Sequence, residues 1–192
     1  MQLLKLCQYR FLGKKEINVE ERSKSHKFKG DKTKNMKEII QEFLNNKKVA
    51  IVGASTKKDN FGRTLLLELR KKDYEVFPVN PKCKEVEGVS CVSTVKDLPN
   101  EVESVILAVP PSLTDEIVEQ CIGTPIKRVW MIRGVGRGAY AEKAHQLCLD
   151  NNIKVVYGFC PLMFYGEGMH KFHFWMRKTF GKLPAEYQLS MN

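Results

Sequence analysis

No run of apolar residues in this chain approaches the ~18 that a membrane-spanning helix needs, so no membrane span is expected. The six cysteines, Cys7, Cys83, Cys91, Cys121, Cys148 and Cys160, form no C-x-x-C pair and lie mostly within apolar segments. That excludes a disulfide framework and a zinc ribbon, and reads as reduced thiols in a cytoplasmic setting. Histidine is scarce, with four in the chain. His26 falls in a polar extension and His145 lies mid-helix with no motif around it. His170 and His173 share a helical face downstream of Cys160 but lack a fourth ligand, so no metal site is expected. No nucleophile, acid and base stand together, so nothing marks the chain as a catalyst.

Positive charge is abundant, at +10 overall, but unevenly placed. Residues 1–35 hold ten Lys or Arg against four acids, leaving +6 there and +4 for the other 157 residues. The body is therefore mildly basic, which suits a polyanionic small ligand as well as it suits RNA. From Glu16 to Asn35 the chain is polar, lysine-rich and aperiodic, which predicts disorder. In residues 1–15, Leu3, Leu4, Cys7 and Phe11 share one helical face between basic residues, and no acid precedes Glu16. This is the pattern of an organelle-import presequence and equally of a fortuitous amphipathic segment. Met36 immediately precedes the first stretch with domain character. The reading is three parts: a basic extension over 1–35, a domain over 36–161, and an aromatic, basic helical tail over 162–192.

The domain alternates strand and helix. A first helix over 37–46 carries Ile39, Ile40, Phe43 and Leu44 at helical spacing. The first strand, Val49 to Val52, is apolar on successive residues, so both its faces should be buried, as in a parallel sheet. Leu65, Leu66 and Leu69 mark the next helix. A second strand, Tyr74 to Val79, closes at Asn80-Pro81. Residues 82–100 read as irregular, with a Glu87-Gly88 turn and a short helical turn from Thr94 to Leu98. Further strands follow at Val102 to Val109, Arg128 to Ile132 and Lys154 to Phe159. A helix capped by Ser112 and another over Ala139 to Asn151 separate them. Five strands joined by helical crossovers predict an α/β, Rossmann-like, doubly wound five-stranded parallel sheet with helices on both faces. With strand order 3-2-1-4-5, ligand would bind beyond the carboxyl ends between Gly53-Ala54-Ser55 and Arg133-Gly134.

A dinucleotide site for NAD calls for G-x-G-x-x-G after the first strand and an acid closing the second. Here the loop runs from Gly53 through Asn60-Phe61 to Gly62, and the second strand ends Pro78-Val79-Asn80-Pro81-Lys82. Neither half matches. A lysine in place of the acid favours a phosphorylated ribose, as in NADP or coenzyme A. Val52-Gly53-Ala54-Ser55, Asn60-Phe61-Gly62, Pro78-Val79-Asn80-Pro81, Val109-Pro110, Val129-Trp130 with Gly134, and Cys160-Pro161 together resemble the coenzyme-A-binding domain. That Rossmann-like module is also found in the α subunit of succinyl-CoA synthetase. The resemblance runs from Lys37 to Pro161, and the small free-standing members look most similar.

The resemblance implies a protein that binds coenzyme A or an acyl-CoA without catalysis of its own. Gly53, Ala54 and Ser55, with the helix start at Asn60, Phe61, Gly62 and Arg63, would take the phosphates. Val79, Asn80, Pro81 and Lys82 would lie along the nucleotide, Lys82 nearest its ribose phosphate. Val109 and Pro110 would pack on adenine or pantetheine, and Ile132, Arg133 and Gly134 would form the far wall. The family often places Gln where this chain has Ile132. The glycine-rich turn Arg133 to Gly138 suits an anion nest. Cys83, beside Lys82, suits a mixed disulfide with the coenzyme thiol. Two other readings stand beside this one: an NADP-dependent oxidoreductase, and a nucleic-acid-associated protein using the basic extension. The tail's apolar residues are expected to dock on the domain or on a second copy, giving a homo-oligomer.

Overall fold

The computed structural model describes residues 36–133 and 138–165, together with Thr179, Pro184 and Tyr187. Expectations for the extension over 1–35, for Gly134 to Arg137 and for His170 and His173 lie outside those residues. The core is a five-stranded parallel sheet: β1 (Lys48–Val52), β2 (Glu75–Val79), β5 (Ser104–Leu107), β6 (Arg128–Met131) and β7 (Lys154–Tyr157). Two short strands, β3 (Glu85–Val86) and β4 (Val89–Ser90), form a separate antiparallel hairpin around the turn at Glu87-Gly88. Residues 82–100 are thus more ordered than expected. The helical turn near Thr94 is a 3-10 turn at Val95–Asp97.

Helices α1 (Met36–Asn45), α2 (Phe61–Arg70), α3 (Pro111–Cys121), α4 (Glu142–Asp150) and the short α5 (Leu162–Tyr165) cover both faces. Trp130 is fully buried in β6. Phe43 of α1 and Phe164 of α5 meet its indole edge-on, with centroids 5.3 and 5.7 Å away. α2 packs beside α5, and α3 packs against α4. Right-handed crossovers on the two sides of β1 place these groups on opposite faces. β1, β5 and β6 are buried along nearly their whole length, as a sheet covered on both sides requires. Helix α3 starts at Pro111 with Pro110 in the cap position and no side-chain cap. Proline supplies the start signal in place of the expected Ser112.

The strand order corrects the sequence reading. It is β2-β1-β5-β6-β7, or 2-1-3-4-5 among the parallel strands, not 3-2-1-4-5. β5 pairs with β1 through Ala50–Val105, Ile51–Ile106 and Val52–Leu107. The outer edge of β2 is taken instead by Val92, whose N–H donates to Pro78 O at 3.1 Å and whose O accepts from Asn80 N at 2.9 Å. No room remains there for a full strand, so the chain crosses back over β1. The winding reverses between β1 and β5, and that gap, not one beside Arg133, is the switch-point crevice.

The amino ends of the strands are closed by charge. Arg128, 8% exposed, donates to Ser104 Oγ at 2.9 Å, Glu103 at 2.9 Å and Glu42 at 3.4 Å. Lys154 reaches Glu42 at 2.7 Å. Pairing every member with an opposite charge or a hydroxyl offsets the cost of burying the guanidinium.

Candidate functional site

The groove at the carboxyl ends starts from Gly53. Its φ of +92° lies in the region that side chains avoid. An added Cβ would sit 2.5 Å from Ala108 O and 2.8 Å from Val109 Cγ1. Only glycine lets the end of β1 run so close to the end of β5, where Ala108 N donates to Val52 O at 2.9 Å. Gly62 performs the same task one turn later, since a Cβ there would meet Ala54 Cα at 2.8 Å. The start of α2 is thereby laid flat on the β1 loop.

Two asparagines hold this loop from inside. Asn60 caps α2: its Oδ1 accepts from Arg63 N at 2.8 Å and Ser55 N at 3.1 Å, while its Nδ2 donates to Gly53 O at 3.0 Å. Asn80 bridges from the end of β2, donating from Nδ2 to Ala54 O at 2.7 Å and accepting from Lys82 N at 2.9 Å. Asn60 was expected at a helix start that takes phosphates through its backbone amides and Asn80 along the nucleotide; the side chains of both are engaged with the protein. The first-turn amides of a helix lack intrahelical acceptors, so the start of α2 beside Gly53-Ala54-Ser55 presents a field suited to an anion.

The structure brings Gly53, Ala54, Ser55, Asn60, Phe61, Gly62, Arg63, Val79, Asn80, Pro81, Lys82, Val109 and Pro110 to one end of the sheet around β1, β2 and β5. Lys57, Lys58, Lys82 and Pro110 are exposed on that rim, and Val109 is half-buried. None of the described ion pairs involves the three lysines. Arg63 is different: its Nε pairs with Glu87 at 2.6 Å, a partner the sequence reading did not assign. Ile132 is 6% exposed, so its side chain belongs to the core, and Arg133, exposed, lies one strand beyond the switch point. Ala108 is the residue that sequence reasoning overlooked. The glycine-rich turn departs at Ile132 and returns at Ala139, whose N–H donates to Ile132 O at 2.8 Å. Thr114 Oγ1 of α3, buried, ties that return by donating to Ala139 O at 2.8 Å.

A cavity of about 190 Å³, lined by Val95, Leu98, Val102, Thr124 and Ile126 among others, lies at the amino ends of β5 and β6. It is on the opposite end of the sheet from Gly53 and below the roughly 300–1,000 Å³ of a ligand pocket. Among the described residues no group of three or more His, Cys, Asp or Glu could hold a metal ion, and no helix is long and apolar enough to cross a membrane. His145 forms a three-ring cluster with Tyr140, which it meets edge-on at 5.8 Å between centroids, and Tyr157, tilted at 5.0 Å. At the chain's far end, Tyr187 is buried with its ring 5.0 Å from that of Phe159. The tail thus docks on its own domain at that point.

Comparison with known proteins adds an independent line. A family model described as a CoA binding domain matches residues 47–166. The chain is 25% identical over 141 residues, 71% of its length, to acetate–CoA ligase [ADP-forming] of Methanocaldococcus jannaschii, of which it covers 19%. It spans only 11% and 13% of two Archaeoglobus fulgidus ligases of the same name, I and II. An uncharacterized Bacillus subtilis protein is 29% identical over 126 residues, 64% of this chain and 91% of its own. Among solved structures, a hypothetical protein from Pyrococcus horikoshii OT3 superposes with a TM-score of 0.61 at 32% identity. That match covers 69% of this chain and 94% of the other.

Proposed function

Because the chain belongs to the CoA-binding domain family, we propose that it binds coenzyme A or an acyl-CoA in the groove at the carboxyl ends of β1, β2 and β5, without turnover of its own. The observation that carries this reading is the end of β2. Where a dinucleotide enzyme for NAD places a carboxylate, this chain has Asn80-Pro81-Lys82, its asparagine turned inward onto Ala54 O and its lysine exposed. A cation there suits the ribose phosphate of coenzyme A. The β1 loop fits a diphosphate, because its glycines bring backbone close and its helix start offers amides. Val109 and Pro110 supply the apolar surface for adenine or the pantetheine arm. When bound, coenzyme A supplies a thiol that carries acyl groups; these residues hold and orient it.

Calorimetric titration tests the assignment of Lys82. Coenzyme A should bind more tightly than its analogue lacking the ribose phosphate, and Lys82→Ala should remove that preference. The expected loss for coenzyme A is about tenfold, the size of one charge-assisted contact. Equal affinity for both ligands in the unaltered protein would contradict it.

A further inference from the structure

Two arginines of α2 hold the tip of the β3–β4 hairpin. Arg63 Nε donates to Glu87 Oε1 at 2.6 Å, and Arg70 Nη1 donates to Glu87 O at 2.9 Å. Residues seven apart share one face of a helix, about 10 Å apart along its axis. Helical side chains leave tilted toward the helix start, so Arg70 reaches back along α2 to the tip, and the Glu87 carboxylate meets Arg63 of the first turn. The hairpin is a firm support for that carboxylate. Val86 is fully buried, and Val92, just beyond β4, bridges to Val79 of β2. In the two-residue turn Glu87 has a φ of +52° and Gly88 one of +76°. Positive φ at both positions favours Asn-Gly and is unfavourable for a side chain such as glutamate's. The turn alone therefore gives no reason for glutamate; its carboxylate on Arg63 does. Among the described residues Arg63 gives no hydrogen bond from either Nη. The carboxylate engages Nε and leaves the two terminal amino groups for another acceptor.

We propose that Glu87 is a positioning residue for the ligand's diphosphate: it fixes Arg63 by Nε so that the two Nη groups form a fork for phosphate oxygens at the start of α2. This role rests on the coenzyme A reading above and adds to it a residue of the β3–β4 hairpin. A guanidinium on a free stem gives up rotational freedom when it grips an anion. One already held at Nε has less to lose. The planar fork matches phosphate through parallel N–H donors. Arg63 N is meanwhile turned to Asn60 Oδ1 at 2.8 Å, so the protein itself fixes both the backbone and the side chain of this residue. Glu87 acts only through Arg63 and touches no ligand. The two side chains are 24% and 30% exposed, and an ion pair so placed contributes little to stability. Its effect on binding is thereby separable from its effect on folding.

Calorimetric titration of the full chain with coenzyme A, and separately with inorganic pyrophosphate, tests this role. Glu87→Asn suits the turn and is too short to hold Arg63. Its urea midpoint should equal or exceed that of the unaltered protein, while coenzyme A affinity falls about fivefold. Glu87→Gln keeps an acceptor for Nε and should restore most of that loss. In an Arg63→Ala background, Glu87→Asn should cost nothing further. Unchanged or tighter binding by Glu87→Asn would overturn the positioning role, tighter binding meaning that Glu87 competes with the ligand for Arg63. A full loss that persists with Glu87→Gln, or in the Arg63→Ala background, would overturn it as well. A midpoint well below that of the unaltered protein would overturn the separation of binding from folding. Pyrophosphate binding that weakens with Glu87→Asn, in a protein that does not bind coenzyme A, would overturn the coenzyme A reading and uphold the fork. Binding of neither ligand would overturn both.

Discussion

Asn60 shows how one side chain can set the shape of a whole loop from inside. Its side chain makes three hydrogen bonds, to Ser55 N, Arg63 N and Gly53 O, and all three fix the backbone of the loop that joins β1 to α2. Asn60→Ala should lower stability by about 0.5–2 kcal/mol, the cost of a lost helix cap, and should also weaken coenzyme A because the loop is no longer held in shape. Asn60→Asp keeps both acceptor bonds but sets a carboxylate against Gly53 O and near the ligand's phosphates. It should retain most of the stability and lose the affinity. Chemical denaturation and titration together check this, and an Asn60→Asp protein that binds coenzyme A normally would contradict it. The cap was legible in the sequence, since asparagine ahead of a helical run is a start signal. The bond back to Gly53 was not, because it depends on how tightly the loop folds over β1. Ile132 carries the converse lesson: reading it as a wall of the groove ignored that β6 is covered on both faces, and its side chain is core.

At the scale of elements, every parallel strand was legible from apolar runs and their stops, but their order was not. Handedness fixes how a crossover turns; it does not say on which side of β1 the next strand lies. The sequence did hold a signal in Pro78. Proline lacks a ladder donor and belongs on an edge strand, whereas the order 3-2-1-4-5 places the second strand inside. In the structure Pro78 pairs with Ile51 on the edge strand β2 and offers its O outward to Val92. The amino ends of the strands yield a pH prediction. The hydrogen bond from Lys127 chiefly, with Arg128 adding to it and burial opposing, holds the Glu103 carboxyl below the usual 4.5. A carboxylate so depressed contributes stability that is present above that value and lost as pH falls through the folded-state one. Urea midpoints should therefore drop as pH falls below about 4.5, and Glu103→Gln should flatten part of that slope. An unchanged slope in the variant would contradict the role given to Lys127. The Glu103 side chain is 32% exposed, and solvent screening of its pair with the exposed Lys127 keeps the effect modest.

For the molecule as a whole, the sheet separates two kinds of chemistry. Its amino ends are closed by Arg128, Glu42, Glu103 and Lys154, a network that fixes α1 against the strands. Its carboxyl ends carry exposed lysines, Lys57, Lys58 and Lys82, around the close approach that Gly53 and Gly62 allow. The chain's positive charge follows the same division of roles. The excess in residues 1–35 lies outside the described residues, while Lys57, Lys58 and Lys82 are exposed at the carboxyl ends. The most direct test of the central claim compares thermal shifts of the full chain with coenzyme A, NADP and NAD at equal concentrations. A ligand at 100 times its dissociation constant adds about 2.7 kcal/mol of stability. A binding site for coenzyme A predicts a clear upward shift with that ligand and little with the dinucleotides. Stabilisation by NADP, with none by coenzyme A, would contradict it.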